Sequence, residues 1–347
     1  MDGLVDAIVL EAEQMKDYLD EPINTIYFGG GTPSLLNENQ LNKITRSLYQ
    51  NFDIQQEIEF TLEANPDDLS EDKIKHLVKT GVNRLSIGTQ SFDDTVLSFL
   101  NRSHSSKQAK EAVAFSVKNN IKNISLDLIY GIPNQNKDQW KKNLEKLVKL
   151  NPNHISCYAL TIEDKTAFGN WAKKGKLVPV EEDSLFEEYE YMVHFLTNAG
   201  YEHYEVSNFS KPTCESKHNS SYWQQKTYLG LGPGAHSFNG IERHFNVSNN
   251  PAYIKSITNS TPHFTKENLS KNELITEYIL TRIRTKWGVD FNKIFNLYNY
   301  ELTEYQRSFI QSLVIKKIAT FEQNQLILNS EGYFISDSIA LELIPEP

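Results

Sequence analysis

The sequence predicts an α/β fold in which a partial β/α barrel precedes a small C-terminal domain. Apolar strand-like runs recur, and a helical pattern separates each run from the next; the runs cover residues 23–28, 58–63, 83–88, 122–128 and 154–160. Repeated βα units require parallel strands joined by right-handed crossovers. From about residue 266 the pattern changes to three helices, a hairpin turning at Gln323–Asn324 and a final helix, which predicts a separate winged-helix-like unit.

Length and composition limit the classes of protein to which the chain can belong. Its 347 residues allow one large domain and a smaller one, and 39% hydrophobic with 23% charged residues are ordinary for a soluble globular protein. The net charge of −10 argues against nucleic acid as a partner, and no apolar run reaches membrane-spanning length. With two cysteines, Cys157 and Cys214, and no basic signal at its start, the sequence predicts a cytoplasmic protein.

The first predicted strand is followed by three consecutive glycines, Gly29, Gly30 and Gly31, and then by Thr32. Glycine permits positive φ and lets main-chain N–H groups approach a small polar ligand closely. A helix is predicted to begin soon after, with Asn37 as its N-cap and Gln40 completing a capping box. Two interpretations remain open from these residues: a ligand-binding turn, or a tight βα turn that binds nothing.

The chain divides into three predicted regions. The barrel covers residues 1–209 and ends with a sixth strand-like run at Tyr201–Val206. An irregular extension with a second glycine cluster at 230–234 covers 210–265, and the C-terminal helical and hairpin domain covers 266–347. The acidic composition and the lack of a basic stripe argue against DNA binding by the last region.

Polar residues collect at the carboxyl ends of successive predicted strands. These ends carry the glycine turn and, further along the chain, Glu63, Gln90, Asp127 and Ala159. Singly, such a carboxylate is most often a helix cap or an ion-pair partner. Together, at the mouth of a β/α barrel, they favour a ligand site, because a carboxylate is costly to bury there without a partner.

Five motifs carry a resemblance to a known family. They read Tyr27-Phe28-Gly29-Gly30-Gly31-Thr32-Pro33-Ser34, Arg84-Leu85-Ser86-Ile87-Gly88-Thr89-Gln90-Ser91-Phe92, Asn101-Arg102-Ser103-His104, Asp127-Leu128-Ile129-Tyr130-Gly131-Ile132-Pro133 and Gly232-Pro233-Gly234-Ala235-His236. In this order over nearly the whole chain, they resemble the radical S-adenosylmethionine family of oxygen-independent coproporphyrinogen III oxidases. The run His218-Asn219-Ser220-Ser221-Tyr222-Trp223 resembles the HNxxYW signature of the heme chaperone branch, HemW.

The resemblance implies a partial (β/α)6 barrel, a 4Fe-4S cluster and S-adenosylmethionine bound over the strand ends. Residues at matching positions would bind S-adenosylmethionine: Gly30, Gly31, Thr32, Glu63, Gln90, Arg102, Asp127 and Ala159. His218 would bind heme, and acceptor hemoproteins would be the partners. A histidine in this position could instead cap a loop and pack under aromatic rings; His236 is then the next candidate.

One departure from the family pattern is severe, because the chain has no CxxxCxxC motif to hold the cluster. Cys157 and Cys214 are too far apart in sequence to replace three thiolates on one tight loop. Two explanations remain: a start placed too far downstream, which the surviving family motifs favour, or a paralogue that has lost cluster chemistry. With the first barrel strand missing, residues 23–28 are expected to form an exposed sheet edge.

Three functions follow from these observations. The leading hypothesis is a heme chaperone that binds heme and delivers it to hemoproteins. The alternative is an oxygen-independent coproporphyrinogen III oxidase of porphyrin biosynthesis, against which the absent cluster ligands argue. The third is a barrel that binds no cofactor and serves as a scaffold. Catalytic residues are not assigned, and whether the chain is an enzyme stays open.

Overall fold

A computed structural model describes residues 1–345. Seven strands form one curved sheet in the order β1-β2-β3-β4-β5-β7-β6. The strands are β1 (Ile23–Phe28), β2 (Ile54–Ala64), β3 (Arg84–Gln90), β4 (Asn123–Tyr130), β5 (His154–Ala159), β6 (Glu202–Glu205) and β7 (Asn208–Ser210). Strands β1 to β5 are parallel neighbours, which confirms the predicted repeat of βα units.

The sixth predicted strand does not extend the parallel series. Its residues form β6, which pairs with β7 as a tight antiparallel hairpin, with Glu205 opposite Asn208. A connection of two residues can join only antiparallel strands. As a result β7 lies beside β5, in the antiparallel direction, and β6 lies at the edge of the sheet.

Helices connect and cover the strands of the barrel. They are α1 (Asp2–Gln14), α2 (Glu38–Asn51), α3 (Glu71–Thr80), α4 (Asp94–Phe99), α5 (Ser106–Lys118), α6 (Lys137–Leu150), α7 (Ala167–Lys173) and α8 (Glu182–Asn198). Helix α2 begins as predicted, because Asn37 and Gln40 form a reciprocal capping box. Helix α3 ends at Gly81, whose φ of 104° is a conformation that glycine adopts without steric cost.

Successive side chains of the barrel strands alternate between an apolar face and a polar face. Phe60, Leu62, Leu85 and Leu126 belong to one buried apolar cluster under the helices. Their chain neighbours point to the opposite face, because side chains alternate along a strand. That interior face is polar; it carries Thr25, Tyr27, Glu59, Thr61, Glu63, Arg84, Ser86, Ser125, Asp127, His154 and Ser156.

The region predicted as an irregular extension is ordered. It contains α9 (Lys217–Trp223), α10 (Asn250–Thr258) and a three-stranded antiparallel sheet of β8 (His236–Phe238), β9 (Glu242–Asn246) and β10 (Phe264–Asn268). Within residues 1–345, strand β1 is the terminal strand of the sheet and pairs with β2 alone, so residues 23–28 form a sheet edge as predicted, and α9 packs against this strand. The predicted boundary at residue 266 falls inside β10.

The C-terminal part combines helices with a small antiparallel sheet, which confirms the predicted α+β unit. Its elements are α11 (Lys271–Arg282), β11 (Val289–Asp290), α12 (Phe291–Tyr298), α13 (Glu304–Ile315), β12 (Ala319–Glu322), β13 (Gln325–Leu328), α14 (Ser330–Phe334) and α15 (Ser336–Leu343). Gln323 and Asn324 make the predicted turn, with φ values of 53° and 62°. This part has its own buried apolar cluster. Among residues 1–345, no helix is long and apolar enough to cross a membrane.

Candidate functional site

The glycine turn after β1 opens toward the strand ends of the barrel. Gly30 and Gly31 have φ values of 70° and 61°, a region that side-chain-bearing residues rarely adopt. A Cβ on Gly29 would collide with the ring of Tyr27 and would lie 3.0 Å from Oε1 of Glu63. The Gly30 N–H donates to Oε2 of Glu63 at 3.2 Å. The turn therefore brings one main-chain donor, the Gly30 N–H, against the first strand-end carboxylate.

Glu63 at the end of β2 is held by two contacts from β1 and its turn. Besides the Gly30 N–H, the Tyr27 hydroxyl donates to Oε1 at 2.6 Å. Burial and the neighbouring Glu63 charge raise the pKa of Tyr27 far above its usual range, so this hydroxyl keeps its proton and remains a donor. The carboxylate is thereby oriented before any ligand arrives.

Asp127 on β4 accepts hydrogen bonds from serines on its own and the adjacent strand. Ser86 Oγ lies 3.2 Å from both carboxylate oxygens, and Ser125 Oγ lies 3.3 Å from Oδ1. Burial raises the pKa of Asp127 to about 6, although the Ser156 hydroxyl, the Arg84 charge and the Ser86 hydroxyl oppose the rise. A carboxyl with such a pKa can exchange a proton near neutral pH.

The remaining predicted S-adenosylmethionine residues lie at the same edge. Gln90 ends β3 with a φ of 60°, an uncommon conformation for a residue with a side chain. Ala159 ends β5 opposite Tyr130 of β4. Arg102 is exposed on the loop between α4 and α5, and His104 fixes that loop by a 3.0 Å contact between Nε2 and the Thr89 carbonyl. The structure thus brings the predicted residues to one end of the barrel, with Arg102 on an adjoining loop.

His218 lies near the start of α9, against the interior face of β1. Nδ1 is 2.8 Å from Thr25 Oγ1, Nε2 is 2.9 Å from the Tyr222 hydroxyl, and the imidazole stacks on the Tyr27 ring at 4.7 Å. Glu59 of β2 clamps the helix by accepting from the N–H groups of Lys217 and His218, at 3.2 and 3.0 Å. Burial, with the Arg84 charge, lowers the pKa of His218 to about 4, so the ring is neutral at neutral pH.

A chain of polar contacts crosses the barrel interior from Asp127 to α9. Ser125 Oγ contacts Asp127 and also lies 2.8 Å from His154 Nδ1. His154 Nε2 lies 2.6 Å from the Tyr204 hydroxyl, which accepts from the N–H of Ser216, the N-cap of α9, at 3.3 Å. Of these groups the sequence motifs predict only Asp127 as a site residue. The alternation of polar and apolar residues within each strand is the signal that indicates the other interior groups.

The cysteines and His236 lie apart from this arrangement. Cys157 is buried in the apolar cluster, where burial raises its thiol pKa, and Cys214 lies in the loop before α9. Across residues 1–345 no group of three or more His, Cys, Asp or Glu side chains could hold a metal ion. Two separate cysteines, Cys157 and Cys214, do not fit a 4Fe-4S cluster, which needs three or four thiolates. His236 is exposed on β8, with its ring 5.8 Å from Phe245.

Comparisons with known proteins agree with this geometry. Residues 4–147 match the model of the Radical SAM superfamily. Heme chaperone HemW of Lactococcus lactis is 33% identical over 339 residues, covering 98% of this chain and 88% of the relative. Heme chaperone HemW of Bacillus subtilis is 34% identical, covering 91% and 84%. The solved structure of coproporphyrinogen III oxidase HemN from Escherichia coli has a TM-score of 0.84 at 20% identity, covering 98% and 82%.

The curved sheet with its polar strand ends is the fold of a radical S-adenosylmethionine protein, as the likeness to the HemN structure shows. Since relatives at 33% and 34% identity align along most of their length, the chain belongs to the HemW family within that superfamily. The family predicted from the motifs is confirmed.

Proposed function

We propose that this protein binds heme beside α9, with His218 as the iron ligand, and delivers it to acceptor hemoproteins in the cytoplasm. The observation that carries the proposal is the placement of His218: a neutral imidazole held on a helix that is clamped to the barrel. The relatives that align along most of their length are named heme chaperones. Imidazole is a common protein ligand of heme iron.

The contacts of His218 support a defined mode of ligation. With the proton on Nδ1, Thr25 Oγ1 accepts it and fixes the ring, and the Nε2 lone pair accepts the Tyr222 hydroxyl. Nε2 of His218 would hold the heme iron in place of that hydroxyl, and Thr25 would remain hydrogen-bonded to Nδ1 and orient the imidazole. Tyr222, 38% exposed and edge-on to the Tyr228 ring at 4.7 Å, offers an aromatic surface for a porphyrin.

S-adenosylmethionine is the second ligand that we propose, at the strand ends. The main-chain donors of the glycine turn and the carboxylates Glu63 and Asp127 suit a zwitterion that carries a sulfonium. The residues at the strand ends would bind and orient S-adenosylmethionine. Tyr27 belongs to both sites, since its hydroxyl contacts Glu63 and its ring stacks on His218.

Coproporphyrinogen oxidation is the weaker candidate. The HemN structure is 20% identical to this chain, which is enough to show the fold and no more. Oxidation of the substrate would also need the cluster ligands that the chain does not contain. Formation of 5′-deoxyadenosine by this protein in the presence of a reductant would favour that candidate over the heme chaperone.

Hemin titration of three variants tests the proposed ligand. We expect His218→Ala to bind hemin about tenfold more weakly or worse and to shift the Soret band. We expect Tyr222→Phe to bind about 2- to 10-fold more tightly, because Nε2 no longer gives up a hydroxyl partner. His236→Ala, which removes an exposed histidine on β8, is the matched control and should match the wild type.

Circular dichroism checks that each variant is folded. If His218→Ala keeps the affinity and the spectrum of the wild type, His218 is not the ligand. If only His236→Ala loses hemin binding, the iron ligand is His236 on β8.

A further inference from the structure

Arg84 is a charged side chain buried in the polar interior of the barrel. It begins β3 and is 1% exposed. The next residue, Leu85, belongs to the apolar cluster on the outer face, so Arg84 points inward. Within residues 1–345 it has no carboxylate within ion-pair distance, and two of its donor atoms, Nε and Nη2, have no hydrogen-bond partner. A buried cation without a partner is costly to the folded state.

The two unpartnered atoms of Arg84 form a specific receptor. Nε and Nη2 present their N–H groups along one edge of the guanidinium, and that edge binds both oxygens of a carboxylate or phosphate at once. Directly across the strand pair, Thr61 of β2 is Arg84's register partner, and its buried hydroxyl also lacks a partner. Two neighbouring polar groups on different strands are thus unpaired at the same place.

Other unpaired polar atoms lie on the elements that enclose this interior. Asn208 Oδ1 and Ser210 Oγ on β7 and Ser220 Oγ on α9 are buried without partners among the described residues. Asn208 and Ser210 stand opposite Ser156 and His154 in the sheet, so they share the interior face. Buried polar atoms in native proteins are rarely left unpaired, and a group of them is paired by bound water or by a polar ligand.

We propose that the Nε and Nη2 edge of Arg84 binds a carboxylate group of a ligand held in the barrel interior, with Thr61 as a neighbouring contact. The charge balance favours a carboxylate over a phosphate. Arg84 supplies one positive charge on a face that also carries the carboxyl groups of Glu59, Glu63 and Asp127. A carboxylate adds less negative charge to this face than a dianionic phosphate would, so its repulsion from these groups is smaller.

A carboxylate on a short flexible arm can reach so deep a group. Two ligands of the proposed function carry one: the propionates of heme and the aminocarboxyl end of S-adenosylmethionine. The heme arm of the proposal rests on the proposed function. The S-adenosylmethionine arm rests on the second ligand of the proposed function, and the two arms can fail separately because the two ligands are proposed at different places.

The test compares each ligand with an analogue that lacks the carboxylate. Hemin is compared with hemin dimethyl ester, and S-adenosylmethionine with its decarboxylated form, in the wild type, Arg84→Met and Arg84→Lys. We expect the wild type to prefer the carboxylate form of one ligand by about 10- to 100-fold, as for a charge-assisted bidentate contact. Arg84→Met should abolish the preference, and Arg84→Lys should keep part of it, since lysine supplies charge without the planar fork.

Arg307→Met is the matched control, since Arg307 is an exposed arginine on α13. A preference for hemin that vanishes in Arg84→Met identifies a propionate, and one for S-adenosylmethionine identifies its aminocarboxyl group. A wild type that binds both members of each pair equally overturns the proposal without any variant, as does a preference that survives in Arg84→Met. If the wild type binds neither hemin nor its ester, the proposed heme function fails and the S-adenosylmethionine pair alone decides this inference.

Discussion

The two faces of the barrel sheet are made by the same strands and are both buried, yet their chemistry is opposite. On the outer face, Leu62, Leu85 and Leu126 are fully buried and pack under helices. On the inner face, residues with equally little exposure are polar or charged; they include Thr61, Arg84, Ser125 and His154. The comparison shows that burial alone does not define a folding core.

The difference between the faces assigns them different physical roles. Apolar burial on the outer face contributes favourable free energy of folding, roughly 25 cal/mol for each Å² removed from water. Buried polar groups on the inner face contribute little or oppose folding where they lack partners. Glu59 on this face holds α9 by two hydrogen bonds, and the carboxylate ligand that we propose would pair with Arg84.

The largest expected effect comes from breaking the outer face. Leu85→Ala should lower the free energy of unfolding by about 2–5 kcal/mol, because it leaves a cavity in a close-packed cluster. Chemical denaturation measures the loss, and hemin binding by the folded fraction should be unchanged. Val117→Ala on α5, where the valine is 60% exposed, is the control and should change stability by less than about 0.5 kcal/mol. Equal losses in both variants would contradict the assignment of Leu85 to the core.

On the inner face, Asp127→Asn should raise the free energy of unfolding, whereas Leu85→Ala on the outer face lowers it. Since the folded-state pKa of Asp127, about 6, lies above its ordinary value of 3.8, its contribution to stability is greatest below pH 4 and is lost as the pH rises through 6. The neutral amide avoids that loss, so the variant should be more stable than the wild type at pH 7.5, by on the order of 1–3 kcal/mol.

Denaturation at several pH values measures the difference in stability between Asp127→Asn and the wild type. This difference should be positive at pH 7.5 and should shrink toward zero near pH 4. Asp17→Asn, at an exposed aspartate, is the matched control and should change stability at pH 7.5 by less than about 0.5 kcal/mol. An Asp127→Asn protein that is less stable than the wild type at pH 7.5 would show that the carboxylate stabilises the fold.

The smallest expected effect is that of Thr61→Val. The hydroxyl of Thr61 is fully buried without a partner among residues 1–345, so a methyl group in its place should stabilise the ligand-free protein by up to about 1 kcal/mol. Thermal denaturation measures the gain. A loss of more than about 1 kcal/mol would show that the Thr61 hydroxyl has a hydrogen-bond partner in solution.

Much of the fold could be predicted because its signals are local. The alternation of strands and helices, the Asn37–Gln40 capping box and the turn at Gln323–Asn324 depend on backbone sterics and on contacts within a few residues. The meeting of Glu63, Gln90 and Asp127 at one edge was also predictable, because parallel strands place their carboxyl ends together. The family motifs predict His218 as a site residue, but they do not predict its contacts with Thr25 and Tyr27.

By itself the sequence determined the repeating βα units, the position of the strand-end residues and the start and end of several helices, all of which follow from short-range periodicity and backbone geometry. Only the tertiary structure decided that β7 lies between β5 and β6, that Glu59 clamps α9 across β1, and that Arg84 is buried without a partner. Thr25 and His218 are 193 residues apart in the chain, and no local preference links them. Such contacts depend on how separate elements pack, which periodicity within one element does not specify.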